Sequence, residues 1–411
     1  MALSLKTIPN LIRQTSSRLK VACLISGGVD SCVAALLLKR LAFDVIGVHL
    51  NVWNDFDFKE GVCHETDRND ARFVCDKLGI EFKEVDFVQH YWNHVFIDFL
   101  KAYESGETPN PDMFCNRKIK FGVFLDYAVK NLNMDAIASG HYAGTSLGPF
   151  WEYRQQHITR NEHVELIRPK DKMRDQTFFL SQIEPSSLKK VLFPLQTLMK
   201  EEVRKIAIEN GFERIAKRKP TTGKILNLST FIKLHLLGIC FIGKRNFQNF
   251  INEYIEPKPG KMIDIDTREI IREHNGLHQW TLGQRCTHHS KPVKYFIAHK
   301  CLKSNNIYVA AGEDHPSLYS NEFTAKNMHW LTEEPIELRQ NELKCLFKFQ
   351  QKEDLSECTV TKLDNNTLQF KTKKLQRCLT PGQIAVLYKG EKCLGGAKII
   401  SYKNEYVAKF L

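Results

Sequence analysis

The chain has 411 residues, of which 43% are hydrophobic and 26% charged, a composition typical of a soluble globular protein with two or three domains. Its formal net charge of +12 favours a polyanionic partner, such as a nucleic acid, over an acidic small molecule. No apolar run approaches the roughly 20 residues of a membrane span, so the protein is not expected to be integral to a bilayer. Charge alone does not separate RNA from DNA or a membrane surface, and the expected partners do not include a membrane.

Residues 1–20 are basic and contain Lys6, Arg13, Arg18 and Lys20, three serines and no acid. This composition is typical of a mitochondrial transit peptide, and a short disordered basic tail is the alternative. The twelve cysteines are scattered without any Cys-x-x-Cys pair. That pattern favours a reducing compartment and argues against a structural zinc site, so no protein-bound metal is expected. We therefore expect a location in the mitochondrial matrix.

A glycine-rich turn follows the first apolar run of the chain. Val21–Ile25 has the composition of a buried strand, Ser26–Ser31 (Ser-Gly-Gly-Val-Asp-Ser) that of a tight polar turn, and Cys32–Leu41 the apolar spacing of a helix. Such a turn directs backbone N–H groups and the positive end of the helix dipole at one point, which predicts an anion site. It is not a Walker A loop, because no Gly-Lys-Ser/Thr follows. Two glycines alone would leave an ordinary strand–turn–helix connection open.

Strand and helix patterns alternate from Val21 to about Ala143, which predicts a Rossmann-like parallel sheet with helices on both faces. The further predicted elements are strands Val45–Leu50, Glu81–Phe87 and Ala136–Ser139 and helices Asn69–Leu78 and His90–Tyr103. Ligands of such sheets bind beyond the carboxyl ends of the strands, where Ser26–Ser31 and Ser139–His141 should both lie. For His141, a surface turn is the alternative.

The pattern of residue types changes in the second half of the chain. A helix is predicted at Lys200–Asn210, and a small middle segment punctuated by proline and glycine begins near Gly243. Seven short strands then predict a compact β-barrel. They are Tyr295–His299, Ile307–Ala311, Leu343–Phe349, Cys358–Leu363, Thr367–Lys371, Ile384–Tyr388 and Lys392–Ile400.

Two of the cysteines have unusual neighbours. Cys115 follows Pro109 and Pro111 and directly precedes a predicted helix at Asn116–Asn131. A helix N-terminus and nearby cations both stabilise a thiolate, and three cations follow within five residues: Arg117, Lys118 and Lys120. The alternative is a buried, inert cysteine. Cys240, alone, would be a core strand cysteine.

The combined motifs resemble the tRNA-specific 2-thiouridylases of bacteria and mitochondria, members of the PP-loop ATP pyrophosphatase superfamily. The resemblance covers residues 21–400. Its motifs are Ser26–Ser31, Asn110–Asp112 with Cys115, Gly140–Tyr142, Asp175–Leu180, Gly238–Gly243, Thr281–Arg285, Pro381–Gln383 and Cys393–Gly396.

The resemblance implies a two-stage reaction on the wobble uridine, U34, of tRNA. ATP adenylates the C2 oxygen, Cys240 carries a persulfide sulfur, and Cys115 is the nucleophile, leaving a Cys115–Cys240 disulfide to be reduced. Asp112 is close enough in sequence to assist proton transfer. Mg²⁺ is expected on the pyrophosphate, because the loop provides amides but little positive charge. An iron–sulfur cluster held by the two cysteines and the Asp is the alternative proposed for some family members.

Further site residues and partners are implied by the same resemblance. The ATP positions are Leu24, Ile25, Ser26, Gly27, Gly28, Val29, Asp30, Ser31, Leu50 and Gly140. The target base would be contacted by Asn110, Pro111 and Asp112, and the rest of the tRNA by His141, Arg174, Asp175, Gln176, Lys348, Phe349 and Gln383. The expected partners are tRNAs with Lys, Glu or Gln anticodons and a persulfide donor protein supplied by a cysteine desulfurase.

The sequence departs from the family pattern at several places. Arg174 replaces the usual Lys, Leu50 replaces Met, and the Arg–aromatic–Arg pattern near Lys348 is weakened. The largest departure is an insertion of fifteen residues, 224–238, before Ile239-Cys240. A translated in-frame intron or splice variant explains it, and a genuine loop extension is the alternative, since loops tolerate added length.

These predictions divide the chain into five parts. They are a transit peptide (1–20), a PP-loop ATP-binding catalytic domain (21–220), a catalytic loop with the insertion (221–242), a small central domain (243–286) and a C-terminal β-barrel (287–411). The first functional hypothesis is a tRNA sulfurtransferase. The alternatives are a tRNA-binding protein inactivated by the insertion, and another AMP-forming PP-loop ligase.

Overall fold

The computed structural model describes residues 18–53, 62–150, 163–218, 246–287, 293–351 and 353–410. The chain forms two compact units. The first unit comprises residues 1–88, 119–177 and 184–220, and the second comprises 89–118, 178–183 and 221–411. No helix among the described residues is long and apolar enough to span a membrane.

A parallel sheet forms the centre of the first unit. The strands of this unit are β1 (Lys20–Leu24), β2 (Asp44–Asn51), β3 (Glu81–Asp86), β4 (Ala136–Ala138), β5 (Gly144–Thr145), β6 (Leu166–Ile167) and β7 (Val191–Leu192), of which β5 and β6 lie outside the parallel sheet. The sheet order is β3-β2-β1-β4-β7, and all four of these pairings are parallel. Strands β5 and β6 pair in antiparallel orientation. The Rossmann-like parallel sheet predicted from the sequence is therefore confirmed.

Helices cover this sheet, and the most buried of them follows the glycine-rich turn. Its residues from Ser31 to Leu38 are all buried, because almost every side chain of this stretch is apolar. The helices of the first unit are Val29–Arg40, Val62–Leu78, Phe124–Lys130, Lys172–Arg174, Pro185–Lys190, Lys200–Glu209 and Glu213–Lys217.

Two helical runs contain π-helical stretches, a rare geometry that is frequent at functional sites. The first run comprises Val88–Tyr91, the π-helix Trp92–Phe96, and Ile97–Glu104. The second comprises Pro111–Phe114, the π-helix Cys115–Val123, and Phe124–Lys130. The predicted helix start at Asn116 was wrong. The helix begins at Pro111 with Asn110 as its N-cap, so Cys115 lies in the second turn.

The second unit contains two further sheets. The first consists of β8 (Gly260–Asp264), β9 (Ile270–His274), β10 (Arg285–Thr287), β11 (Lys294–Cys301) and β12 (Asn306–Ala311), in the order β10-β11-β12-β8-β9. The short helices Phe247–Ile251 and Leu277–Gln279 belong to the same part of the chain as this sheet. The pairing of β12 with β8 is parallel, and the others are antiparallel.

The second sheet closes into an antiparallel barrel. Its strands are β13 (Tyr319–Trp330), β14 (Glu342–Lys348), β15 (Ser356–Lys362), β16 (Thr367–Arg377), β17 (Ile384–Lys389) and β18 (Lys392–Lys403). The order is β13-β16-β15-β14-β17-β18, and β13 also pairs with β18, which closes the barrel. Stacked rings of Phe323 and Phe370, 4.5 Å apart, lie in its core. The remaining helices of this unit are Thr177–Leu180, Pro316–Leu318, Ile336–Gln340 and Glu405–Phe410.

The seven-strand composition predicted for the barrel was wrong in two respects. Strands β11 and β12 belong to the five-stranded sheet, because β12 pairs with β8, about 45 residues earlier in the chain. Strand β13 was missed because polar residues interrupt its apolar alternation. The predicted domain boundaries as such stay predictions.

Candidate active site

The Ser26–Ser31 loop joins the end of β1 to the N-terminus of the most buried helix of the first unit. Gly28 is the N-cap of that helix and has no side chain with which to cap it. The Ser31 hydroxyl closes the loop internally, since it accepts from the backbone N–H of Ser26 at 3.2 Å and donates to the Gly28 carbonyl at 3.0 Å. The first N–H groups of the helix therefore remain available to an anion.

Two glycines let the backbone come close at this loop. Gly27 has a φ of +75°, and a Cβ at this position would lie 2.5 Å from the carbonyl oxygen of Asp67. Gly140 follows β4, and a Cβ there would lie 2.6 Å from the backbone nitrogen of Ser31. Only glycine fits at either position. The structure thus brings together the two stretches that the sequence placed at one edge of the sheet.

Asp30 of the loop is held by two side chains that the sequence analysis did not assign. The Lys200 ammonium lies 2.6 and 2.7 Å from the two carboxylate oxygens of Asp30. The Tyr142 hydroxyl donates to the same carboxylate at 2.9 Å. Burial lowers the pKa of Lys200, whereas burial and the charge of Asp30 raise the pKa of Tyr142. A cation therefore lies beside a loop whose own sequence lacks one.

The Gly140–Tyr142 stretch is fixed by hydrogen bonds from Gln176. The backbone N–H of Gln176 donates to the Tyr142 carbonyl at 2.9 Å, and its side-chain oxygen accepts from the Tyr142 N–H at 2.8 Å. His141 shares a 2.9 Å hydrogen bond with the Ser139 hydroxyl. Burial and the charge of Lys120 hold the pKa of His141 well below its usual range, so this imidazole is neutral.

The predicted tRNA contacts near Tyr142 differ in their surroundings. Arg174 is exposed. Asp175 is buried, and its carboxylate accepts from Arg168 Nε at 2.6 Å and from the Thr177 backbone N–H at 2.9 Å. Asp175 and Gln176 therefore bind the protein itself, with Asp175 buried and Gln176 half-buried, whereas Arg174 is exposed.

The residues expected at the target base lie at the start of a helix in the second unit. The Asn110 side chain accepts from the Asp112 N–H at 3.1 Å, and Pro111 occupies the first helical position. This is a favourable N-terminal sequence, with an acid in the first turn. Asp112 and Cys115 are three residues apart and so share one helix face. Cys115 is only 5% exposed.

The predicted partner thiol, Cys240, and the insertion 224–238 lie outside the described residues. Three other cysteines of the first unit, Cys23, Cys32 and Cys75, are buried in its core. Burial raises the pKa of the Cys32 and Cys75 thiols to about 12, so they are unsuited to form thiolates. Their position is that of packing residues.

The remaining predicted tRNA contacts are buried in the second unit. Gln383 is 2% exposed, and its side-chain amide donates to the Thr108 carbonyl. Lys348 is 4% exposed, with its ammonium 5.8 and 5.9 Å from the ring centres of Phe178 and Tyr388. The side chain of Phe349 is fully buried. The structure therefore gives these three side chains internal partners, and their contact with tRNA stays a prediction.

Comparison with known proteins gives a consistent picture along the whole chain. Residues 19–226 match the tRNA methyl transferase HUP domain, 248–311 the tRNA methyl transferase PRC-barrel domain, and 320–399 the aminomethyltransferase beta-barrel domain. The second match includes β11 and β12, in agreement with their place in the five-stranded sheet.

Relatives that match nearly the full length of the chain show which family it belongs to. The chain is 42% identical to mitochondrial tRNA-specific 2-thiouridylase 1 of Gallus gallus, covering 93% of this chain and 91% of the relative. It is 40% identical to the protein of the same name from Homo sapiens, covering 92% and 90%. It is also 40% identical to tRNA-specific 2-thiouridylase MnmA of Lactobacillus johnsonii, covering 95% and 98%. The chain belongs to the tRNA-specific 2-thiouridylase family.

The described residues of this thiouridylase fit a nucleotide better than a resident metal. The open helix N-terminus and the two tightly packed glycines form a cradle for phosphate oxygens, and the Asp30 carboxylate is a suitable oxygen ligand for Mg²⁺. No group of three or more His, Cys, Asp and Glu side chains that could hold a metal ion occurs within the described ranges. Of the three residues that the alternative iron–sulfur cluster would need, the structure describes Cys115 and Asp112, whereas Cys240 lies outside the described residues.

Proposed function

We propose that this chain is an ATP-dependent sulfurtransferase that replaces the C2 oxygen of the wobble uridine, U34, of tRNA with sulfur. The observation that carries the proposal is one chain with both an open phosphate loop at Ser26–Ser31 and a buried thiol, Cys115, behind the Asn110–Asp112 helix start. The relatives, which are named tRNA-specific 2-thiouridylases, support the substrate.

In the first stage the Ser26–Ser31 loop binds ATP. The uridine O2 forms a bond to the α-phosphorus, the bond from that phosphorus to the bridging oxygen breaks, and the uridine N3 proton is lost. The products are an O2-adenylated uridine and pyrophosphate. Amide dipoles aimed at the phosphates stabilise charge that develops on the leaving group. Bound Mg²⁺ would supply further charge neutralisation, with Asp30 as the nearest carboxylate of the loop.

In the second stage a persulfide on Cys240 delivers its terminal sulfur to C2, and AMP leaves. The Cys115 thiolate then attacks the Cys240 sulfur, which releases 2-thiouridine and forms a Cys115–Cys240 disulfide. A dithiol reductant restores both thiols by taking up the two oxidising equivalents. Asp112, on the same helix face as Cys115, would accept the thiol proton.

The partners follow from this chemistry and from the relatives. A persulfide donor protein must load Cys240, and tRNAs with Lys, Glu or Gln anticodons are the proposed substrates. The net charge of +12 suits a tRNA ligand. We place the protein in the mitochondrial matrix, with residues 1–20 as the transit peptide, because two of the relatives are named as mitochondrial. Residues 1–17 lie outside the described part of the chain.

The test is a thiolation assay with purified protein, MgATP, a persulfide donor and unmodified tRNA, scored for 2-thiouridine by mass spectrometry. We expect product from the wild-type chain and none from Cys115→Ser or Cys240→Ser. Cys301→Ser is the matched control, because Cys301 is partly exposed and hydrogen bonds from Ser304 lower its pKa. Product that survives either of the first two changes would contradict the two-cysteine mechanism.

The insertion 224–238 supports one second candidate, a tRNA-binding protein without thiolation activity. Catalysis needs Cys240 placed to within about an ångström, and the insertion lengthens the segment that carries it. Deletion of 224–238 restores the sequence Gly223-Ile239-Cys240. Product from the deletion variant but not from the full chain, with equal tRNA binding by both, favours the second candidate. Equal product from both forms rules it out.

A further inference from the structure

The Ser26–Ser31 loop contains no cation, yet the structure places the ammonium group of Lys200 against it. Lys200 lies 170 residues further along the chain, and its Nζ is 2.6 and 2.7 Å from the two oxygens of Asp30. The Lys200 side chain is 14% exposed, so the charge is at the mouth of the site rather than in open solvent. Its distance from the Tyr142 ring centre is 5.7 Å.

The position of Lys200 in its own helix is unfavourable for a cation. Lys200 is the first residue of the helix Lys200–Glu209, and the positive end of the helix dipole repels a positive charge there. The helix start does not need the side chain, because the Lys200 backbone N–H is bound by Asp171 Oδ2 at 2.9 Å. Helix stability therefore does not account for this lysine.

The surroundings of the Asp30–Lys200 pair suit an additional anion. The charges of Arg174 and Arg204 both act on Lys200, and both side chains are exposed. Asp30 and Asp171 are the acids beside Lys200, and the dipole of the helix Val29–Arg40 adds further positive potential. Two carboxylates, Asp30 and Asp171, face a lysine, two arginines and a helix N-terminus, which leaves a surplus of positive charge for phosphate.

We propose that Lys200 is the cation of this PP-loop and a catalytic residue of adenylation: it pairs with Asp30 in the free protein and with the pyrophosphate part of ATP in the complex. This inference rests on the proposed function. When the bond between the α-phosphorus and the bridging oxygen breaks, that oxygen takes the electron pair, and Lys200 stabilises its charge without giving up a proton. Lys200 thus takes the part that a lysine within the loop has in Walker A proteins.

The test compares ATP with AMP, because only ATP carries the β- and γ-phosphates. Lys200→Gln removes the charge and keeps a hydrogen-bond donor for Asp30. We expect this variant to bind the α,β-methylene analogue of ATP at least tenfold more weakly, while AMP affinity changes less than twofold. Pyrophosphate release on addition of unmodified tRNA should fall about 10²–10³-fold. Lys200→Arg, which keeps the charge, should retain part of the rate.

Lys205→Gln is the matched control, because Lys205 lies on the same helix with its side chain 76% exposed. If Lys200→Gln does not fold, the double variant Asp30→Asn/Lys200→Gln replaces it, because removing both charges leaves neither unpaired. Its reference is then Asp30→Asn alone. Analogue affinity within twofold of wild type, or equal losses for the analogue and AMP, would overturn the proposal. Nucleotide binding can be measured without sulfur transfer. A wild-type chain that makes no 2-thiouridine would therefore contradict the proposed function without deciding the role of Lys200.

Discussion

Gln383 of the Pro381–Gln383 motif has two possible roles, contact with tRNA or an internal structural hydrogen bond. Family resemblance implies that Gln383 contacts tRNA, whereas in the structure its amide donates to the Thr108 carbonyl. The neighbouring Gly382 has a φ of +94°, and a Cβ there would lie 2.7 Å from the Thr108 nitrogen. The Pro381 carbonyl accepts from the Thr108 N–H at 2.9 Å. This motif therefore fixes the chain just before Asn110, the start of the Cys115 helix.

We predict that Gln383→Leu lowers stability. The change leaves the buried Thr108 carbonyl without its donor, which costs about 1–3 kcal/mol in the free energy of unfolding. Urea denaturation measures the loss, and Gln340→Leu, an exposed position, is the control. If Gln383→Leu instead weakens tRNA binding with unchanged stability, the side chain contacts tRNA directly.

Residue chemistry could be predicted where it is local and not where it depends on distant partners. Ser26–Ser31 and Gly140 could be predicted to lie at one edge of the sheet because each follows a parallel strand, and the structure brings them together. Lys200 could not be placed there, since nothing in the sequence around it connects it to Asp30. The burial of Gln383 and Lys348 could not be foreseen either, because a polar residue type predicts exposure and only tertiary partners reverse it.

At the scale of elements, the helices Val62–Leu78 and Glu213–Lys217 are joined through ion pairs below the loop. Arg218 Nη1 lies 2.7 Å from Asp70 Oδ2, and its other terminal nitrogen pairs with Asp67. Arg214 pairs with Asp70 at 2.6 Å. The carbonyl of Asp67 is also the group that excludes a side chain at Gly27. Arg218 therefore anchors the end of the helix Glu213–Lys217 to the helix Val62–Leu78.

The two arginines provide a matched pair for a stability prediction. Arg218 is 21% exposed and Arg214 is 63% exposed, and both pair with the nearly buried Asp70. We expect Arg218→Met to lower the free energy of unfolding by about 2 kcal/mol, since it strips a partly buried partner from two carboxylates. Arg214→Met should cost less than about 1 kcal/mol, because its pair is screened by solvent. Urea denaturation of both variants is the measurement, and equal losses would contradict the anchoring role of Arg218.

Element types were predicted better than element partners. The four strands predicted for the first unit and the helix predicted at Lys200–Asn210 were confirmed, because their apolar patterns are regular. The two-residue strands β5, β6 and β7 were not predicted. The pairing of β12 with β8 was not foreseen, since a strand pattern does not identify its neighbour in a sheet. The π-helical geometry of Cys115–Val123 has no recognisable sequence signature either.

At the scale of the whole molecule, the order of folds along the chain could be predicted from changes in pattern. Alternating strands and helices gave way to short β-runs near Gly243, and the structure has a parallel sheet followed by two β-sheets. The division of the β-runs between the last two sheets and the presence of β13 required the structure. The placement of Cys240 remains a prediction.

Histidines that are buried (His274, His278) or half-buried (His141, His299) give the molecule a predicted sensitivity to mild acid. Burial lowers the pKa of His141 in the first unit and of His274, His278 and His299 in the second. Each binds a proton less readily in the folded protein than after unfolding, where the pKa of a histidine is about 6.5. Stability from these groups is therefore fully present above pH 6.5 and is lost as the pH falls toward their lowered pKa values.

The free energy of unfolding should change with pH by about 1.4 kcal/mol per pH unit for each proton that the unfolded chain binds in excess of the folded chain. The window from pH 6.5 to 5 is informative, because ordinary carboxylates titrate below about 4.5. Burial raises the pKa of Glu353 to about 7, so this one carboxyl releases a proton on unfolding in the window and offsets the uptake by one histidine. Differential scanning calorimetry between pH 7.5 and 5.0 should show a falling midpoint and, from buffers of different ionisation heat, proton uptake on unfolding. A midpoint that is constant or rises across this window would show that the histidines are accessible to protons in the folded state, contrary to their burial.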